Sequence, residues 1–198
     1  MSRVLWLLAL ASLLGLWMNP ASAAEPDNRV MPFGSPELAP RLGDDAPAFS
    51  LRAYNEDIAI RLSKNPQITL NTFVGFGAEQ PRKALLLGFG AWWDEKSWKE
   101  LATFQRLYKK FKDSGVMVIM ISLDRNDPQL VYESIDKEKV GFPVLRDRFQ
   151  VVSRRYGVSK LPTVFLIDKD GKIVSMGEAY KDDVEAYLDS EIKRLLKE

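Results

Sequence analysis

Two runs of apolar side chains, separated by a stretch with helical periodicity, limit the folds open to this chain. Residues 84–89 read ALLLGF and residues 116–123 read VMVIMISL. Neither run alternates apolar with polar, so neither suits a strand with one wet face. Runs of this length suit strands buried on both faces. Between them, Trp98, Leu101, Phe104, Leu107, Tyr108 and Phe111 recur at helical spacing. They predict a long amphipathic helix over about 95–112, stopped by Gly115. Strand, helix, strand in that order is a parallel crossover, and such crossovers are right-handed.

The remaining chain extends this unit. Asp127 and Pro128 stand where an N-cap and a first-turn proline belong, with a helix running to about 138. A shorter helix is expected over 148–156, ended by Gly157. Residues 163–167 read as a strand, Asp168-Lys169-Asp170-Gly171 as a turn, and 172–175 as its hairpin partner. A terminal helix is expected over 184–196. Upstream, 48–60 reads as an irregular strand or hairpin, and Ile68-Thr69-Leu70 as a short strand in a loop-rich segment over 61–82. The sum is an α/β, three-layer architecture: a central mixed sheet flanked by helices on both faces. With 198 residues, one domain is enough to bury such a core.

The N-terminus reads as an export signal. Arg3 supplies a positive charge, 4–17 is apolar, Pro20 breaks the run, and Ala21-Ser22-Ala23 is a small-x-small cleavage site. The rival reading, an uncleaved membrane anchor, needs about 20 apolar residues, and the run is shorter. The expected organisation is a signal peptide at 1–23, a proline-rich arm or linker at 24–42 (Pro26, Pro32, Pro36, Pro40) and a folded domain at 43–198. The expected destination is the periplasm or the outside of the cell.

The chain has no cysteine and no histidine. It can form no disulfide, no thiolate nucleophile and no thiolate metal site, and it lacks the commonest metal ligand and general base. No metal site and no cofactor are expected. With 28 basic and 27 acidic side chains, nothing suggests a nucleic-acid surface. Lys109, Lys110 and Lys112 read as the solvated end of a helix, where cations suit the dipole.

Four segments in order carry a resemblance. They are GDDAPAFSL (43–51), ALLLGFGAWW (84–93), FPVLRD (142–147) and LPTVFLIDKDGKIV (161–174). Together they resemble the redoxin branch of the thioredoxin-like superfamily, which holds exported thiol–disulfide oxidoreductases and peroxiredoxins. The resemblance implies a thioredoxin-like fold. In that family two cysteines follow the tryptophan and open the helix. Here Asp94 stands at the first position and Ser97 at the second, so the active site is degenerate. Asp94 is expected to cap the helix. Ser97 lacks a histidine partner, and Lys96, Lys99 or Lys160 would have to serve as its base. The family's buried acid on the central strand is replaced by Gly88, a nearby family aromatic by Gly90, and Trp92 occupies a position that is usually smaller.

What the resemblance leaves is a binding geometry. Pro162, preceded by Leu161, matches the family's cis-proline, whose neighbouring backbone pairs with extended substrates. Trp93, Asp94, Leu161 and Pro162 are therefore the expected peptide-binding residues, with Trp92 and Trp98 bracketing the site. The expected function is a redox-inactive binding or chaperone-like module of the cell envelope, its partner an envelope protein or extended peptide. The alternative is an accessory subunit, or a thiol–disulfide oxidoreductase so labelled by homology, acting with a cysteine-bearing redox protein.

Overall fold

The computed structural model describes residues 39–125, 128–178 and 183–197. The expected signal peptide at 1–23, nearly all of the expected arm at 24–42, the expected cap at Asp127 and the side chain of Trp98 lie outside the described residues.

The chain first forms a small two-stranded antiparallel sheet from β1 (Ser50–Arg52) and β2 (Gln67–Thr69), with helix α1 (Glu56–Ser63) between them. The main body follows as β3 (Ala84–Gly90), α2 (Glu95–Phe111), β4 (Val116–Ser122), α3 (Pro128–Glu138), β5 (Val144–Arg146), α4 (Val151–Arg155), β6 (Thr163–Asp168), β7 (Ile173–Glu178) and α5 (Val184–Leu195). Its five strands lie in the order β5-β4-β3-β6-β7. β3, β4 and β5 run parallel, while β6 is antiparallel to β3 and β7 to β6. This is the expected thioredoxin-like α/β architecture with a mixed sheet.

The two apolar runs occupy the centre. Every residue of β3 and β4 is buried, as layers on both faces require. Leu85, Leu86 and Leu87 are fully enclosed, and burying each stabilises the fold by about 1.5–3 kcal/mol. α2 packs across β3 and β4 and is met by α3 and α5. Gly115 ends the α2 segment in a left-handed conformation, φ 92°.

Three readings of the sequence are corrected. The segment 48–60 is not a hairpin, because α1 begins at Glu56. Ile58, Ile60 and Leu62 alternate with period two and imitate a strand. The residues that α1 buries are instead Ala59 and Ser63, four apart. Asn55 fixes the start of the helix from outside: its Nδ2 donates to the Phe142 carbonyl at 2.8 Å, and its Oδ1 accepts from the Val144 N–H at 2.9 Å.

The second correction is β5, which the element order missed. Three residues are too few to show a period. They become a strand because β4 offers Met120, Ile121 and Ser122 as parallel partners. Third, α4 starts at Val151, later than expected. The Asp147 carboxylate accepts from the N–H groups of Val151 at 2.9 Å and Ser153 at 2.8 Å. Gln150 takes a left-handed turn, φ 54°, just before the helix, so 148–150 cannot belong to it.

Candidate functional site

The C-terminal end of β3 leads through a tight turn at Ala91–Trp93 into α2, with Asp94 as the N-cap. On the neighbouring strand, Thr163 pairs with Phe89. Pro162 and Leu161 therefore reach the same edge of the sheet as Asp94 and Ser97. The structure thus gathers the expected site residues at one end of the molecule.

Asp94 has extended backbone, φ −104° and ψ 111°. Its Oδ2 accepts from the Ser97 N–H at 2.9 Å and from the Ser97 hydroxyl at 2.7 Å. The Ser97 N–H also donates to the Asp94 carbonyl at 3.0 Å, and the carboxylate sits at the positive end of the helix dipole. Ser97 is buried and donates its hydroxyl proton to the capping carboxylate. Two of the amines considered as its base are engaged elsewhere. Lys99 Nζ lies 3.1 Å from Glu95, and Lys160 Nζ lies 2.8 Å from Glu178. This is a capped helix, with no activated nucleophile.

The space below is filled. A Cβ at Gly88 would stand 2.1 Å from Cε2 of Phe104 and 3.0 Å from Sδ of Met120. The phenyl ring of α2 occupies the volume that a side chain on the central strand would need. A Cβ at Gly90 would stand 2.3 Å from Cε of Met120 and 2.9 Å from Oγ of Ser97. The glycines on β3 and the large side chains facing them form one complementary packing. Restoring an acid at Gly88 requires moving Phe104.

Sequence reasoning missed the group that shapes the turn. Asp124, just past β4, is buried, and both of its oxygens lie 3.1 Å from the Trp92 N–H. Ser122 donates its hydroxyl to Asp124 Oδ2 at 2.8 Å. Burial holds the Asp124 carboxyl above the usual carboxylate range, and the hydrogen bonds from Ser122 and Trp92 pull the other way. The only hint in the sequence is an aspartate that ends a run of apolar residues. With its backbone tied to Asp124, Trp92 is buried, while Trp93 is 38% exposed.

The Leu161–Pro162 peptide is cis. Among the described residues, Leu161 makes no backbone hydrogen bond. From Thr163 the chain joins β6, which pairs with β3 on one side and β7 on the other. Thr163 Oγ1 closes the loop by donating to the Lys160 carbonyl at 2.7 Å.

Comparison with known proteins agrees with this architecture. Residues 42–176 match the AhpC/TSA family. The chain belongs to that family. This AhpC/TSA member is 39% identical over 108 residues to the thiol-disulfide oxidoreductase ResA of Bacillus anthracis, a match covering 54% of this chain and 62% of that protein. The chain therefore spans less than two thirds of the length of that relative. ResA of Oceanobacillus iheyensis is 29% identical over 150 residues, covering 75% of this chain and 71% of that protein.

Among solved structures, the thioredoxin domain of a thiol-disulfide oxidoreductase from Bacteroides vulgatus superposes with a TM-score of 0.61 at 24% identity, covering 78% of this chain and 99% of that one. A thiol-disulfide oxidoreductase from Bacteroides fragilis does so with a TM-score of 0.59 at 25% identity, covering 77% and 99%. The chain itself contains no cysteine.

Proposed function

We propose that this chain is a redox-inactive member of its family that binds an extended segment of an envelope protein in the groove between Asp94 and Pro162. The observation that carries the proposal is the pairing of a sealed site with an open backbone. The positions where thiols would act hold a capping aspartate and a buried serine, and the space beneath is packed by Phe104 and Met120. Beside them Leu161 keeps an unpaired backbone N–H and C=O among the described residues, and Trp93 stands partly exposed as an anchor. An extended peptide could add there as a short strand, main chain to main chain. Tryptophan is enriched among residues that dominate binding.

The reading places the protein in the periplasm or outside the cell, on the strength of the signal-like N-terminus. It requires no cofactor and no metal. A crosslinking pull-down from envelope extract tests it. Wild type should capture a defined set of proteins, and Trp93→Ala and Pro162→Ala should lose it. The purified chain should leave insulin disulfides intact. Equal recoveries from wild type and both variants would remove the groove from the function.

The relatives named thiol-disulfide oxidoreductase support a second reading, in which the chain positions the thiols of a partner that supplies its own cysteines. Captured proteins enriched in a cysteine-bearing redox protein, with reductase activity appearing only in the complex, would favour it over the first.

A further inference from the structure

The opposite edge of the sheet holds a cavity of about 460 Å³, within the range of small-ligand sites. It lies where α1 ends, where α2 ends and where β4 begins. Arg61, Arg82, Lys109 and Lys112 line it, against the single carboxylate of Asp113. Among the described residues none of the four cations makes an ion pair. Elsewhere cations do meet carboxylates, as Arg52 meets Glu56, Arg106 meets Glu185 and Lys172 meets Asp45.

Helix dipoles account for part of the pattern. Arg61 is in the last turn of α1, Lys109 is in the last turn of α2, and Lys112 follows it. They do not account for Arg82, which precedes β3 and belongs to no helix. Nor do they account for convergence. Arg61 and Arg82, from two separate segments, line the same cavity as Tyr108. The Tyr108 hydroxyl makes no hydrogen bond among the described residues. One wall is rigid, since Gln105 Oε1 accepts from the Gly141 N–H at 3.0 Å and its Nε2 donates to the Lys139 carbonyl at 3.0 Å. Two guanidinium forks, two ammonium groups and a phenol around one concavity are a donor set for a multiply charged oxyanion, and guanidinium in particular matches phosphate geometry.

We propose that the cavity bounded by Arg61, Arg82, Lys109 and Lys112 is a binding site for a phosphate-class anion, either free or as a lipid headgroup. The site lies at the far edge of the sheet from Asp94 and Pro162 and is independent of the groove reading.

Calorimetric titration of the full chain with pyrophosphate, in low and in physiological salt, tests the proposal. Binding should appear and weaken as salt rises. Arg61→Gln and Lys112→Gln should each weaken it by about tenfold. Both residues are exposed, so folding is preserved, and a thermal melt of each variant checks this. Lys110→Gln is the control, because Lys110 is on the same helix but pairs with Asp189 outside the cavity.

Sedimentation with phosphatidylglycerol vesicles, against phosphatidylcholine vesicles, separates the two sources. Binding to the anionic vesicles that pyrophosphate displaces and Arg61→Gln abolishes assigns the headgroup, and pyrophosphate binding without vesicle binding assigns the free anion. No binding in either arm, or a loss in Lys110→Gln equal to that in Arg61→Gln, overturns the proposal in favour of undirected surface charge.

Discussion

The two edges of the central sheet resolve their electrostatics in opposite ways. At the edge where β3 meets α2, the polar groups of the turn into the helix are matched: Asp94 with Ser97, Asp124 with Trp92 and Ser122, and the volume beneath is closed by Phe104 and Met120. At the other edge, four cations face a cavity with one carboxylate among them. A residue exchange that merely removed thiols would have left a vacant, partly polar pocket at the first edge. The glycines at 88 and 90 instead fit the side chains opposite them, so the closed edge is a packed structure in its own right. The lesson is that the edge named by the family's chemistry is the quiet one here, and unneutralised charge has gathered at the other.

The comparison breaks most directly at Gly88. Gly88→Asp would restore a carboxyl on the central strand, and if the pocket were merely vacant it would be tolerated. The 2.1 Å approach of Phe104 predicts otherwise. The new side chain must displace a fully buried ring and also bury a carboxylate with no partner. The expected loss is about 4 kcal/mol or more, read by urea unfolding with unchanged slope. Asp94→Cys with Ser97→Cys should fold and form a disulfide, yet reduce insulin only slowly, since Gly88 offers no proton-handling group.

Next in size is Glu100, an exception to the matched groups near the closed edge. It lies on α2 and is 4% exposed, and its Oε1 has no hydrogen-bond partner among the described residues. Burial raises its pKa from an ordinary 4.5 to about 8, opposed by Arg106 and reinforced by Glu185. The folded state then holds a proton that the unfolded state releases near pH 4.5. Stability from this group is complete below that pH and is lost as pH rises toward about 8. Glu100→Gln should therefore be near neutral at pH 4 and stabilising by roughly 2–4 kcal/mol at pH 8. Unfolding curves at the two pH values check this, and a pH-independent effect of the substitution would show that folding leaves the Glu100 pKa unshifted.

How far the sequence could be read follows from what each element depends on. β3, β4 and α2 were legible because their own residues carry the period that burial demands. α1 was not, because Ile58, Ile60 and Leu62 keep strand spacing and the deciding contacts, from Asn55 to Phe142 and Val144, cross from one end of the chain toward the other. β5 owes its existence to β4. At the site, Asp94, Ser97, Leu161 and Pro162 could be placed by motif. Asp124 could not, since its role arises only when the end of β4 is brought beside Trp92. The basic cavity was half visible: Lys109 and Lys112 were seen as a helix end, while Arg61 and Arg82 join them only through the fold.

The smallest effect sets the two edges side by side. Asp94→Ala removes a side-chain cap and leaves the Ser97 hydroxyl without its acceptor, while the Ser97 N–H keeps the main-chain carbonyl at position 94. Loss of an N-cap costs about 1 kcal/mol, and the partly buried partner adds to it. Lys112→Gln removes a charge of equal magnitude at the other end of the same segment. It breaks no ion pair, and the lost attraction to the helix C-terminus is offset by relief of repulsion from Lys109 and its neighbours. Its effect should stay within about 0.5 kcal/mol of zero. Thermal melts in low salt compare the two directly. A clear destabilisation by Lys112→Gln would mean that the cations at the cavity serve the fold, whereas a neutral result there beside a loss at Asp94 leaves them available for a ligand.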